Sequence, residues 1–106
     1  MARALVTVPP SAKRGEIVEI RALIGHAMET GYRPGADGRV LPRDIIRSFR
    51  VTYNGEEIFS AVLHQAISAN PYFSFYTVAQ ESGTLTFRWE GDNGFAQTET
   101  ASIQVS

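Results

Sequence analysis

Apolar and polar side chains alternate with a period of two over most of the chain, the repeat of a half-buried strand. Over residues 16–24, Val18, Ile20, Ala22 and Ile24 fall on one face, with Glu19 and Arg21 on the other. Over residues 45–53, Phe49, Val51 and Tyr53 turn inward while Ser48, Arg50 and Thr52 turn outward. That run leads straight into Asn54-Gly55, a pair that tolerates the positive φ angles of a type I′ hairpin turn. Residues 72–79 are aromatic and β-branched. Ser82-Gly83 then turns the chain into residues 84–90, where Leu85, Phe87 and Trp89 share a face. Gly91-Asp92-Asn93-Gly94 turns it again into residues 95–105, with Thr98, Thr100 and Ser102 on one side. Residues 56–66 suit a helix face nearly as well as a strand, through Ile58, Phe59, Val62, Leu63 and Ala66. The hairpin turn before them and Asn70-Pro71 after them favour a strand over 57–63. With an opening strand over 3–8, the pattern predicts about seven strands. That is an all-β fold, an immunoglobulin-like antiparallel β-sandwich.

Two segments depart from the simple alternation. Residues 25–44 carry Gly25, Gly31, Pro34, Gly35, Gly38 and Pro42 with little periodicity, and read as a long structureless connection. Such connections are uncommon inside compact domains and are often functional. This one also holds His26, Met28, Glu29, Arg33, Arg39 and Arg43, which points to a partner-facing role. The second segment is Tyr72-Phe73-Ser74-Phe75-Tyr76, with tyrosines on one face and phenylalanines on the other. A sandwich strand needs a single apolar face, so something covers the second. Either the strand is internal and the long loop half-covers its tyrosine face, or that face meets a second sandwich.

Composition narrows the chemistry. A chain of 106 residues with 43% hydrophobic and 20% charged side chains builds one core, and the whole chain is read as one domain. Ten basic against eleven acidic groups lack the footprint of a general nucleic-acid binder or a polybasic membrane-surface protein. Cysteine is absent, which removes a thiol nucleophile, a disulfide, a thiolate zinc site and cysteine-ligated iron–sulfur clusters. Residues 31–38 are glycine-rich but lack the Gly-Lys-Ser/Thr ending of a phosphate cradle. Glu56 and Glu57 are adjacent on a strand and so point to opposite faces, unsuited to paired acid/base work. No Ser-His-Asp order stands out around His26 and His64, the two histidines. The sharpest metal reading is a copper site on His26, Met28 and His64, since imidazole and thioether suit copper, but a blue-copper centre also needs a thiolate. No catalytic residue and no cofactor is therefore expected. Nine of the ten basic residues are arginine, with Lys13 the exception, a bias toward protein recognition. No stretch approaches the roughly 18–20 apolar residues that cross a bilayer. Residues 1–10 have a basic residue and a short apolar run but no signal-peptide core or cleavage site, so no export address is expected in the chain itself.

The stretch Gly15-Glu16-Ile17-Val18-Glu19-Ile20-Arg21-Ala22-Leu23-Ile24-Gly25-His26-Ala27-Met28-Glu29-Thr30-Gly31-Tyr32-Arg33 resembles the SoxZ family. So do Pro42-Arg43-Asp44-Ile45-Ile46, Phe49, Asn54-Gly55, Ile67-Ser68-Ala69-Asn70-Pro71-Tyr72 and the run from Ser82-Gly83 to Trp89. His-x-Met-Glu-Thr-Gly and Ser-Ala-Asn-Pro-Tyr are the specific pieces, and the likeness runs in order over nearly the whole chain. Ala27 departs from the proline often found there.

The resemblance implies an immunoglobulin-like, non-catalytic subunit of the SoxYZ sulfur-carrier complex of thiosulfate oxidation. In that complex SoxY carries sulfur on the cysteine of a Gly-Gly-Cys-Gly-Gly arm. A chain without cysteine cannot be that carrier, because a persulfide or thiosulfonate adduct needs a sulfur nucleophile. The expected partner is therefore a SoxY-type subunit in a heterodimer, with other Sox enzymes docking transiently, and a homodimer open when that partner is missing. The expected location is the periplasm, reached alongside a signal-bearing partner. Residue type and placement nominate Met28, Arg33, Arg43, Tyr72 and Tyr76 as interface residues. The rival classes are a free-standing adhesion or ligand-binding sandwich and a copper-handling protein.

Overall fold

The predicted alternation becomes eight strands in a computed structural model that describes residues 3–106. Met1 and Ala2, the start of the segment weighed as a leader, lie outside the described residues. In chain order the strands are β1 (Ala4–Thr7), β2 (Ser11–Ala12), β3 (Ile17–Ile24), β4 (Ile46–Tyr53), β5 (Glu56–Val62), β6 (Tyr72–Val78), β7 (Gly83–Gly91) and β8 (Ala96–Val105). They form a three-stranded sheet, β1-β3-β6, and a five-stranded sheet, β2-β8-β7-β4-β5. Every pairing is antiparallel except β2 with β8, which is parallel. The extra strand over the expected seven is β2. It comprises two residues after Pro9-Pro10, where the chain leaves the first sheet for the second, too short to carry a periodic signal.

Burial follows the alternation closely. Val18, Ile20, Ala22 and Ile24 of β3, Phe49, Val51 and Tyr53 of β4, and Leu85, Phe87 and Trp89 of β7 are all in the core. Asn54 and Gly55 both take positive φ, 50° and 86°, as the type I′ turn requires, and residues 56–62 run as strand β5. A register shift between Val51 and Thr52 bends this hairpin, leaving Ile58 and Phe59 both half-buried in place of strict alternation.

Stacked rings hold the two sheets together. Phe49 of β4 lies 4.7 Å from Phe73 of β6, and Phe59 of β5 lies 4.4 Å from Phe75 of β6. Trp89 approaches Phe49 to 5.0 Å. Such pairs each add about 0.5–1.5 kcal/mol beyond the burial of their area. Among the described residues the Trp89 Nε1–H is buried without a hydrogen-bond partner, at a cost of about 1–3 kcal/mol.

Two expectations are corrected. Residues 25–44 are not structureless, because their two legs pair as a finger. Glu29 and Asp44 exchange both main-chain hydrogen bonds (2.9 and 2.8 Å), Leu41 N–H donates to Arg33 O (2.8 Å), and Gly35 N–H donates to Arg39 O (2.6 Å). Turn glycines and prolines hid this pairing, since so short a ladder between turns has no periodicity to read. Of the two readings of the aromatic strand, the internal one under the long loop does not hold: β6 is an edge strand and its tyrosine face is open.

Phe49 touches rings on three strands besides its own. Phe49→Ala is expected to lower stability by about 3–5 kcal/mol, read as a lower midpoint in urea denaturation.

Candidate functional site

The outward side chains of β1, β3 and β6 line up in rows across the three-stranded sheet. Leu5, Leu23 and Tyr72 form the first row, Thr7, Arg21 and Ser74 the second. Glu19 beside Tyr76 and Ile17 beside Val78 complete the face. Leu5 (65% exposed), Ile17 (69%), Tyr72 (56%) and Tyr76 (63%) have no cover among the described residues. With Leu23 and Val78 they make six of the ten exposed large hydrophobic side chains among the described residues. An antiparallel sheet with one face on the core normally makes its other face polar. This one is apolar at both ends.

A polar strap crosses its middle. Arg21 Nη2 donates to Glu19 Oε1 (2.9 Å), and Ser74 Oγ donates to Glu19 Oε2 (2.6 Å). The Arg21 hydrogen bond, and then that of Ser74, hold the Glu19 carboxyl below the usual carboxylate range. Glu19 in turn raises the guanidinium pKa. Across the ladder Arg21 faces Ser74, between Tyr72 and Tyr76. Tyrosines around a pre-positioned arginine are the residue types that dominate binding hot spots. At the Leu5–Leu23 end the face runs into a groove of about 370 Å³ lined by Arg3, Ala4, Leu5, Leu23, Gly25 and Asn70.

Next to that groove the finger is tied down by residues far apart in sequence. His26 N–H donates to Asn70 Oδ1 (2.9 Å), and Asn70 N–H donates back to His26 O (2.8 Å). His26 Nδ1 accepts the Met28 N–H (2.9 Å), and Met28 Sδ accepts the Ile46 N–H (3.3 Å). Both Met28 and Asn70 hold left-handed backbone, φ 51° and 55°. Gly31, at φ 87°, packs where a Cβ would stand 3.0 Å from Arg43 Cβ, so no larger residue fits without displacing the arginine. Asp92 closes the base of the finger. Arg43 Nε donates to Asp92 Oδ2 (2.8 Å) and Arg43 Nη2 to Oδ1 (2.8 Å), while Ile45 N–H donates to Oδ2 (3.1 Å) and Arg47 Nε sits 3.2 Å from Oδ1. The Arg43 fork is the main reason the Asp92 carboxyl lies below the ordinary aspartate range.

These contacts sort the nominated residues. Tyr72 and Tyr76 lie together on the open face. Met28, only 4% exposed, is in the core, so it fixes the finger from within and offers no surface; its apolar side chain completes packing that the sequence placed in a loop. Arg33 is paired with Glu29 (2.7 Å) and Arg43 with Asp92, both on the finger and its base and not on the sheet face that carries the tyrosines. The structure does not assemble the copper set. His26 Nδ1 and Met28 Sδ are each occupied by a main-chain N–H, and His64 is exposed past the end of β5. Among the described residues no three His, Cys, Asp or Glu side chains gather to hold a metal ion. Sequence reading missed Leu5, Ile17, Arg21, Leu23 and Val78 on the open face. Its signal was the apolar residues at both ends of the outward face of β3, Ile17 and Leu23, either side of Glu19 and Arg21.

Residues 6–102 match the family described as Sulphur oxidation protein SoxZ. Comparison with curated protein sequences gives no match. Among solved structures the chain is similar to a superoxide reductase (neelaredoxin) from Ignicoccus hospitalis, with 14% identity, a TM-score of 0.72, and 97% of this chain and 80% of that one covered. It is also similar to the sulfur carrier protein SoxY from Chlorobium limicola f thiosulfatophilum, at 11% identity and a TM-score of 0.66, covering 97% of this chain and 78% of SoxY. A putative superoxide reductase from Thermotoga maritima is similar at 16% identity and a TM-score of 0.65, covering 97% and 85%. At these identities the likenesses concern the fold alone.

The base of the finger is expected to be acid-sensitive. The fold favours ionised Asp92, so its stabilisation is complete above the ordinary aspartate value of 3.8 and disappears as pH falls through the lower folded value. Asp92→Asn is expected to lower the urea midpoint at pH 7 and to shrink the difference between pH 7 and pH 3. An unchanged difference counts against this account of the Asp92 cluster.

Proposed function

Since this chain belongs to the SoxZ family and so has a role in sulphur oxidation, we propose that it is the non-catalytic scaffold of a SoxYZ carrier complex. In this reading it binds and stabilises a SoxY-type subunit and presents it to the enzymes that work on the carried sulfur. The observation that carries the reading is the uncovered face of the three-stranded sheet, with Leu5, Leu23, Tyr72, Tyr76, Ile17 and Val78 around the Arg21–Glu19–Ser74 strap.

Physical chemistry supports each part of it. Two clusters of exposed apolar side chains on one face of a small domain mark a surface made to be covered. Water is expelled from the two apolar ends, while the strap meets its partner with its hydrogen bonds already made. Ordering Arg21 on association therefore costs little rotamer entropy. The chain lacks the sulfur nucleophile that covalent carriage requires, so the adduct resides on the partner. Its arginines offer no general base, and His26 serves the finger. The reading also places the protein in the periplasm, carried there with its partner. Cell fractionation with and without the partner gene tests that part.

Co-expression with a SoxY subunit is expected to yield a 1:1 complex on size-exclusion chromatography. After thiosulfate treatment, intact mass is expected to rise on the partner alone. Tyr72→Ala and Tyr76→Ala are each expected to weaken the complex by about 2 kcal/mol, near thirtyfold in Kd, with little change in the urea midpoint of the free chain. A chain that stays monodisperse and ignores the SoxY subunit would instead be a free-standing binding module.

A further inference from the structure

The open face ends at β6, and β6 is also an unguarded sheet edge. Ile24 N–H donates to Pro71 O (3.2 Å) at one end of the β3–β6 ladder, and Ala79 N–H donates to Glu16 O (2.8 Å) at the other. Antiparallel ladders alternate strictly between these two points. Phe73, Phe75 and Thr77 therefore direct their main-chain groups at β3. Tyr72, Ser74, Tyr76 and Val78 direct theirs away from it. β6 pairs with no other strand, and none of those eight N–H and C=O groups has a hydrogen-bond partner among the described residues.

Natural sheets blunt such edges with short strands, charges, prolines or bulges. The other edges here do so. β1 has four residues and runs into Pro9-Pro10, β2 has two, and β5 opens on Glu56-Glu57 opposite a register shift. β6 has seven residues, no charge, no proline and no irregularity in its register. Beside it the sandwich stays open as a groove of about 210 Å³, lined by Tyr53, Glu56 and Ile58 on one side and Thr77, Val78 and Glu81 on the other, so that charge stands at its rim and not on β6 itself.

We propose that β6 accepts an edge strand of the SoxY-type subunit, so that the three-stranded sheet continues across the complex as one intermolecular sheet. This rests on the SoxY reading above and specifies how the two chains join. The residues with free main-chain groups are the same ones whose side chains line the β6 side of the open face. A strand added there fills the edge while the body of the partner covers the tyrosines. A neutral edge places no charge against the incoming main chain. A subunit with the same sandwich fold brings strands of matching twist.

Amide hydrogen exchange on the isotopically labelled full-length chain, with and without unlabelled SoxY subunit, tests this. In the free chain the amides of Ser74, Tyr76 and Val78 are expected to exchange fast while Phe73, Phe75 and Thr77 are protected. In the complex the three fast amides are expected to slow by roughly 100-fold. Ser74→Pro removes one edge N–H together with the Ser74 Oγ–Glu19 bond, which Ser74→Ala removes alone, and is expected to weaken the complex at least about tenfold more than Ser74→Ala does. A complex that forms while those amides stay fast overturns edge pairing and leaves the SoxY reading standing. Failure to form any complex overturns both. Protection of the same amides in the chain alone, rising with its concentration, assigns the edge to a second copy and overturns the SoxY strand as its occupant.

Discussion

The contact between Phe49 and Phe73, two rings 4.7 Å apart and nearly parallel, sets most of what this protein can present to others. It joins the small sheet to the large one, and Phe59 on Phe75 repeats the arrangement two residues along. Because side chains alternate along a strand, turning Phe73 and Phe75 inward obliges Tyr72, Ser74 and Tyr76 to face outward. The same period carries through the ladder to β3 and β1, where Ala22 inward means Leu23 and Arg21 outward. The open face is thus the mirror of the core. A one-residue slip of β6 would exchange the two, and the stacked rings oppose that slip.

A second constraint comes from the finger. An excursion of some twenty residues would ordinarily be loose, but this one is tied at its base by His26–Asn70, by Met28 Sδ on Ile46, and by Asp92 gripping Arg43 and Ile45. The histidine and methionine that look like metal ligands in sequence are spent on main-chain N–H groups. Asn70 reaches His26 across 44 positions in sequence, which explains how two separated motifs serve one joint. That joint adjoins the apolar face through the groove bounded by Leu23, Gly25 and Asn70. The motif residues therefore shape the end of the recognition surface without belonging to it.

The superoxide reductases share this sandwich, as does SoxY, at identities of 11–16%. The common element is the arrangement of sheets, which unrelated sites can exploit. In this chain cysteine is lacking, while Leu5, Leu23, Tyr72 and Tyr76 stand exposed around Arg21 on one face of the three-stranded sheet.

The amino-acid pattern alone specified the strands β3, β4, β6, β7 and β8, the buried residues of β3, β4 and β7, the Asn54-Gly55 turn and the absence of a sulfur nucleophile. Each is local, a matter of period two, of a left-handed turn or of composition. It also showed that Tyr72 and Tyr76 share a face. What it left undecided was what lies beside that face, because strand order and edge position depend on contacts between residues distant in the chain. Only the folded structure made β6 an edge, put Leu5, Ile17 and Leu23 with its tyrosines, sank Met28 into the core and committed Arg33 and Arg43 to carboxylates. Alternation assigns each side chain to one side of its own strand. Which strand then comes to lie next to it is settled by the global packing of the sandwich.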